Sequence, residues 1–331
     1  MAAVSAAFEV TTAGHSGMRV VVGRSDIEGN EWHGQLQVCD VSEDGELNVA
    51  DRRSLWSGVT SIAPIGAPGA AGGAGVVVVG CDSGDAFVVD LAEPRPDGED
   101  EDEDLDAVIG SSSVLGHHHS TVSAVAAVAG GGFATASWDG TAAVWDAETA
   151  SVVATFGKPT STSRLLCCAA MPSGLLLVGG EGGVAAHDAR AASSASSSPA
   201  TGSFASAVPV TAAAACGDWL VALGFEHGAV GAVDSRAVSR GLVLWAPRTH
   251  RGPVRSVAAA APGAGAGAAA RLVSGADCGT VASMGLTPGS DSVTAAATTR
   301  LPSMADSVVA VGTSAAGSWS IDQNGRVAIH S

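Results

Sequence analysis

Ser137-Trp138-Asp139-Gly140-Thr141-Ala142-Ala143-Val144-Trp145-Asp146 is the stretch on which the fold of this chain turns. Asp139-Gly140 favours the positive-φ conformations of a tight hairpin. The apolar residues after it, closing on Trp145, have the composition of a short buried strand. Phe133 to Ser137 reads as the strand before the turn, and Val122 to Val128 as the one before that. The same turn glycine recurs at Gly34, Gly84, Gly183, Gly228, Gly279 and Gly325, so that with Gly140 there are seven copies spaced 43 to 56 residues apart. An aspartate follows six residues later at Asp40, Asp90, Asp146 and Asp234, and five later at Asp188; the last two copies lack it.

A period of this length fixes the architecture, because one copy alone cannot bury its apolar faces and neighbouring copies must stack. Runs such as Val76 to Val79, Leu175 to Val178 and Leu220 to Leu223 read as strands buried on both faces. The expected fold is therefore all-β, a single seven-bladed β-propeller over residues 1–331. Gly66 to Gly75, Ser193 to Ser203 and Ala261 to Ala270 are rich in small residues and read as surface loops between strands. In such rings an N-terminal segment often supplies the outer strand of the last blade. Here Val4 to Val10 already reads as the first blade's inner strand, leaving Met1 to Ala3, too short for a strand of about five residues. The last strand, Arg326 to Ile329, has nothing to follow it but the final residues. A three-stranded seventh blade is expected, with Val327 and Ile329 at an open edge.

The formal charge of −17 argues against direct nucleic-acid binding and favours basic protein partners. Part of it is concentrated in Asp97 to Asp106, inside a stretch, 95–112, that reads as an acidic surface loop able to steer basic substrates. No apolar run is long enough to span a membrane, and Met1 to Phe8 lacks the features of a secretory signal. The six cysteines show no CxxC spacing and read as buried, reduced thiols, with cytoplasmic and nuclear residence expected.

The third copy resembles a WD repeat, whose hydrogen-bonded tetrad joins a histidine ahead of the first strand, a Ser/Thr of the second, the turn aspartate and the tryptophan of the third. The resemblance assigns these to His118, Ser137, Asp139 and Trp145. His118 is preferred to His117 for its distance from Val122. Other copies are degraded: Cys39, Val89, His187 and Val233 stand at the tryptophan position, while His250 with Val254 keeps the entry pattern of the sixth.

Gly29-Asn30-Glu31-Trp32-His33-Gly34 precedes the strand Gln35-Leu36-Gln37-Val38-Cys39-Asp40 and reads as a loop whose tryptophan either anchors a partner or packs on its own blade. The spacing Gly29, Trp32, Gly34 resembles that of the methylosome protein 50 family, the WD-repeat subunits that partner an arginine methyltransferase. Ser57-Gly58-Val59-Thr60, Val79-Gly80-Cys81-Asp82-Ser83-Gly84, Gly224-Phe225-Glu226-His227-Gly228-Ala229-Val230 and Val327-Ala328-Ile329-His330 also follow the family text. The resemblance spans the chain, but most of it outside the Trp32 loop is generic to WD repeats. It implies a non-catalytic adaptor in a hetero-oligomer. Trp32 would enter the N-terminal barrel domain of the methyltransferase, with Gly29, Asn30, Glu31, His33 and Gly34 shaping the loop, and the basic substrates would be histones or Sm proteins. The short N-terminus and the acidic loop depart from the family.

No enzyme motif is present: no phosphate-binding glycine loop, no G-x-S-x-G and no H-E-x-x-H. No cofactor is expected. His117-His118-His119 does not suit a metal site, since consecutive extended residues point to opposite sides. A scaffold of another complex, such as a nuclear-pore or ubiquitin-ligase propeller, is the alternative function, and a propeller-fold enzyme the remote one.

Overall fold

The structure, a computed structural model, describes residues 3–10, 18–28, 31–65, 75–91, 113–116, 118–157, 163–190, 200–260, 270–288, 293–295, 299–301, 303–314 and 317–330. The acidic run Asp97 to Asp106, with His117, Gly29 and Asn30, lies outside the described residues.

Seven antiparallel sheets follow one another along the chain. Blade one is β1 (Ala3–Val10), β2 (Arg19–Glu28), β3 (Glu31–Val41) and β4 (Leu47–Leu55). Blade two is β5 (Val59–Pro64), β6 (Val76–Cys81), β7 (Asp85–Asp90) and β8 (Ser113–Gly116). Blade three is β9 (Val122–Val128), β10 (Gly132–Ser137), β11 (Thr141–Asp146) and β12 (Ser151–Gly157). Blade four is β13 (Leu165–Ala170), β14 (Leu175–Gly180), β15 (Gly183–Asp188) and β16 (Gly202–Ala205). Blade five is β17 (Val210–Cys216), β18 (Leu220–Phe225), β19 (Val230–Asp234) and β20 (Leu242–Ala246). Blade six is β21 (Val254–Ala260), β22 (Ala270–Ala276) and β23 (Val281–Pro288), whose outer side is shared by β24 (Val293–Ala295) and β25 (Thr299–Leu301). Blade seven has three strands, β26 (Val308–Ser314), β27 (Gly317–Asp322) and β28 (Val327–His330).

The innermost strands β1, β5, β9, β13, β17, β21 and β26 each touch the next, and β26 touches β1, so the ring closes. This is the seven-bladed propeller expected from the repeats, with the three-stranded last blade. The core lies between blades. Val21, Leu36 and Leu55 of blade one pack with Val59, Val77 and Phe87 of blade two, while Val20 and Cys39, on its other face, pack with Trp319, Ile321 and Val327 of blade seven. Covering both faces removes the need for polar alternation, which is why β6, β10, β14 and β18 are apolar almost throughout.

The joints between blades are built alike. The first residue of an inner strand is a valine seated over a glycine of the preceding blade: Val59 on Gly23, Val122 on Gly80, Val210 on Gly179, Val254 on Gly224 and Val308 on Gly275. A methyl group added at Gly23, Gly80, Gly224 or Gly275 would overlap the valine, and at Gly179 it would overlap Cys167 Sγ and crowd Val210, so the residue serves close approach. After the first residue the inner strand bulges, for example between Val59 and Ser61 and between Val210 and Ala212. The residue in the bulge turns its hydroxyl to the next blade: Thr60 Oγ1 donates to the Val122 carbonyl, Ser123 Oγ to that of Leu165 (2.7 Å) and Thr211 Oγ1 to that of Val254 (2.6 Å).

Five cysteines are buried, but Cys278 is exposed. It stands on the turn before Gly279 rather than inside a strand, which corrects the expectation of a wholly buried set. All six are free thiols.

Candidate functional site

Trp32 lies not in a loop but on β3. β2 and β3 are ten and eleven residues long, against the usual six or so of the other blades. β1 pairs with β2 only as far as Ser25, and β4 with β3 only as far as Gly34. Beyond that point Asp26 pairs with His33, Ile27 with Trp32 and Glu28 with Glu31. The result is a two-stranded ribbon that runs past the four-stranded sheet and carries Trp32 near its tip. Gly29 and Asn30, between the strands, are outside the described residues. Gly34 roots the ribbon: it is buried, and a Cβ there would meet the Ser57 carbonyl. His33 is half-buried beside it.

Antiparallel strands alternate in direction, so hairpins between second and third strands emerge at the same end of the ring as the connections between blades. The Trp32 ribbon shares that face with three exposed tryptophans. Trp56 follows β4 and sets its ring against the edge of Phe87, 4.8 Å between centroids. Trp138 is on the β10–β11 turn with the Arg164 guanidinium 5.1 Å from its ring centre, an attraction of the cation–π kind. Trp245, near the end of β20, lies 5.5 Å from the His227 ring. Composition gave no reason to single out Trp138 or Trp245, and their clustering is visible only once the ring places the turns together.

In blade three the His118 ring is buried and its Nε2 lies 2.7 Å from Thr135 Oγ1, which also accepts a hydrogen bond from Trp145 Nε1 at 3.0 Å. His118 Nδ1 lies 2.9 Å from Thr141 Oγ1, which donates to Asp139 Oδ1 at 2.6 Å. The hydroxyl joining histidine and tryptophan is therefore that of Thr135, not of Ser137, a correction to the expected set. Trp145 pairs with Phe133 across the ladder and Thr135 with Ala143, so the indole reaches its diagonal neighbour on the same face. Ser137 sits two residues further along, at the turn, donating to the Ser120 carbonyl and accepting from the Asp139 amide. Burial would raise the Asp139 carboxyl. Hydrogen bonds from the Thr141 hydroxyl and from the His119 and Thr141 amides, with His118 close by, outweigh it and hold the group below the usual carboxylate range.

Two other blades keep parts of this arrangement. In blade six His250 Nε2 is 2.8 Å from Ser274 Oγ and Nδ1 2.6 Å from Thr280 Oγ1. Burial, with a smaller push from Arg300, lowers His250 to about 4, so it is neutral near pH 7. Cys278 stands where blade three has Asp139. Partial burial would raise its thiol, but hydrogen bonds from the Thr280 hydroxyl and from the Thr280, Arg251 and Gly252 amides bring it below the ordinary value. In blade seven His330, at the tryptophan position, meets Ser320 Oγ at 2.9 Å. These sets hold turns and strands in place. Among the described residues no group of three His, Cys, Asp or Glu side chains could hold a metal ion. No helix among them is long and apolar enough to cross a membrane.

No protein-family model matches the chain, and no curated protein aligns with it significantly. Its kinship is therefore stated at the level that the strands support: a seven-bladed β-propeller, consistent with a WD-repeat protein, whose fold suits a platform for protein partners.

Proposed function

We propose that the protein is a non-catalytic WD-repeat adaptor that docks on the N-terminal barrel domain of an arginine methyltransferase and helps present basic, arginine-rich substrates such as histones or Sm proteins. The observation that carries this reading is the β2–β3 ribbon, which extends beyond its blade and holds Trp32 near the tip. A tryptophan on a projecting two-stranded arm suits insertion into a partner's pocket, and interface energy concentrates in such aromatic anchors. The resemblance at Gly29, Trp32 and Gly34 supplies the identity of the partner, and the charge of −17 supports a basic substrate. The complex would be a hetero-oligomer working in cytoplasm and nucleus.

Affinity purification of the full chain with mass spectrometry of what is retained tests the partner, and Trp32→Ala tests the anchor. The variant is expected to keep its melting temperature and to weaken methyltransferase binding by about 2 kcal/mol, roughly thirtyfold. Retention of a different enzyme class, or undiminished binding by the variant, overturns the proposal.

A further inference from the structure

Blade seven ends where every other blade has an outer strand. Val327 donates its amide to the Gly45 carbonyl at 2.9 Å, not to β27. Antiparallel partners alternate between bonded and non-bonded positions. Ile329, two residues on, therefore also turns its N–H and C=O away from β27, toward the open side. The side chain of Ile329 is 58 % exposed. It pairs with Trp319, whose ring packs toward blade one, so Ile329 points into the groove between blades seven and one. From the other wall Val49, paired with Cys39 of the same cluster, faces this groove and is 45 % exposed. Groove and edge are thus one feature: backbone groups with no partner strand among the described residues, beside exposed apolar side chains.

One end of the feature is acidic. Gly45, which touches Val327, belongs to the β3–β4 turn, and Glu43, Asp44 and Glu46 of that turn are exposed. A strand antiparallel to β28 would bring its C-terminal end to Val327 and hence to these carboxylates. A second copy of the chain would bring the same acidic turn and a net charge of −17, which opposes self-pairing.

We propose that the edge of β28 accepts a fourth strand from a partner protein. The guest is an extended segment, antiparallel to β28, that sends an apolar side chain into the groove of Ile329 and Val49 and carries lysine or arginine at its C-terminal end, beside Glu43, Asp44 and Glu46. Ile329 offers it an N–H and a C=O. This is strand addition at an open edge. It uses a surface separate from the Trp32 ribbon, so either can fail without the other.

The probe is a fluorescent ten-residue peptide alternating valine and threonine and ending in three lysines, titrated into the full chain and followed by anisotropy. Saturable binding is expected, together with protection of the Ile329 amide from hydrogen exchange. Ile329→Pro removes the outward N–H and no bond to β27; it is expected to weaken binding about tenfold while leaving the melting temperature unchanged. Val49→Lys, on the other blade, tests the groove without touching β28 and is expected to weaken binding several-fold. The same peptide with its lysines placed first should bind less tightly at low salt, and neutralising Glu43, Asp44 and Glu46 should abolish that difference. Absence of binding, or equal binding by wild type, Ile329→Pro and Val49→Lys, overturns the proposal. So does slow exchange of the Ile329 amide in the chain alone, or a dimer of the chain that Ile329→Pro dissolves, since either means that the edge is already paired.

Discussion

Blades three and seven start from the same strand text and reach different degrees of completion. Val144 and Ile329 stand at the same place, four residues past the turn glycine, yet Val144 is 4 % exposed and Ile329 58 %. The difference is β12, which pairs Ala154 with Val144 and has no counterpart beside β28. The polar groups differ in the same way. In blade three histidine, threonine and tryptophan close a hydrogen-bonded set. In blade seven Ser318 Oγ, Trp319 Nε1 and Asp322 Oδ2 are buried with no hydrogen-bond partner among the described residues, and no such atom lies among the described side chains of blade three. An unmade buried hydrogen bond costs about 1–3 kcal/mol. The comparison teaches that ring closure and blade completion are separate: inner strands suffice to close the ring, while outer strands and the tetrad decide how firmly each blade is held.

The comparison predicts unequal costs for equivalent truncations. Trp145→Ala removes a buried indole, its stack on Phe133 at 5.8 Å and the bond to Thr135, and should cost about 3–5 kcal/mol in denaturant unfolding. His330→Ala, at the same position of blade seven, loses a smaller ring and one bond to Ser320 and should cost about half as much. Equal losses would erase the proposed gradient of order between the blades.

Blade six sharpens the contrast through pH. Its His250 is held at about 4 in the fold against an ordinary value of 6.5. Between those values the unfolded chain binds the proton and the folded chain does not, so stability falls as pH falls from about 6.5 to about 4. The depression corresponds to a loss on the order of 2–3 kcal/mol. Burial lowers His330 as well, with the same sign. Unfolding of wild type and His250→Gln between pH 7 and 4.5 checks this: the variant should show a flatter dependence, and parallel curves would remove His250 from the account.

The smallest effect concerns the two equivalent aliphatic residues. Val144→Ala should cost about 1–2 kcal/mol, because two methyl groups leave a filled interior. Ile329→Ala should cost no more than about 0.5 kcal/mol, since most of its side chain already faces water. Similar values would mean that the edge of β28 is covered in solution.

Much of the ring was legible in the sequence because turn chemistry is local. Asp139-Gly140 and the glycines equivalent to it mark hairpins whatever surrounds them, and Gly84, Gly140, Gly228, Gly279 and Gly325 all carry the positive φ that makes glycine the residue of choice. What escaped depends on the third dimension. Thr135 and Ser137 lie on the same face of one strand, and only the register with β11 shows which of them meets Trp145. Trp32 has loop-like neighbours in sequence, yet pairing with Ile27 draws it into β3. The glycines under the inner-strand valines, four residues before a turn glycine in four of the five joints, look like ordinary glycines in an apolar run until the next blade is placed on them. Cys278 precedes a turn glycine just as Asp139 does, yet composition alone groups it with the buried thiols.

Those glycines have a consequence for how the ring bears load. Five joints are keyed by a valine in a glycine socket, between blades one and two, two and three, four and five, five and six, and six and seven. The joint between three and four has Ala136 in place of the socket glycine but keeps the hydroxyl of Ser123 across it. At the joint between seven and one the equivalent position is Ile321, which fills the space with its own side chain, and blade seven has three strands among the described residues. The ring is thus closed by two kinds of joint: five keyed by a valine in a glycine socket, and two, three–four and seven–one, held by side-chain packing without the key, so the seating of neighbouring blades is not uniform around the circumference.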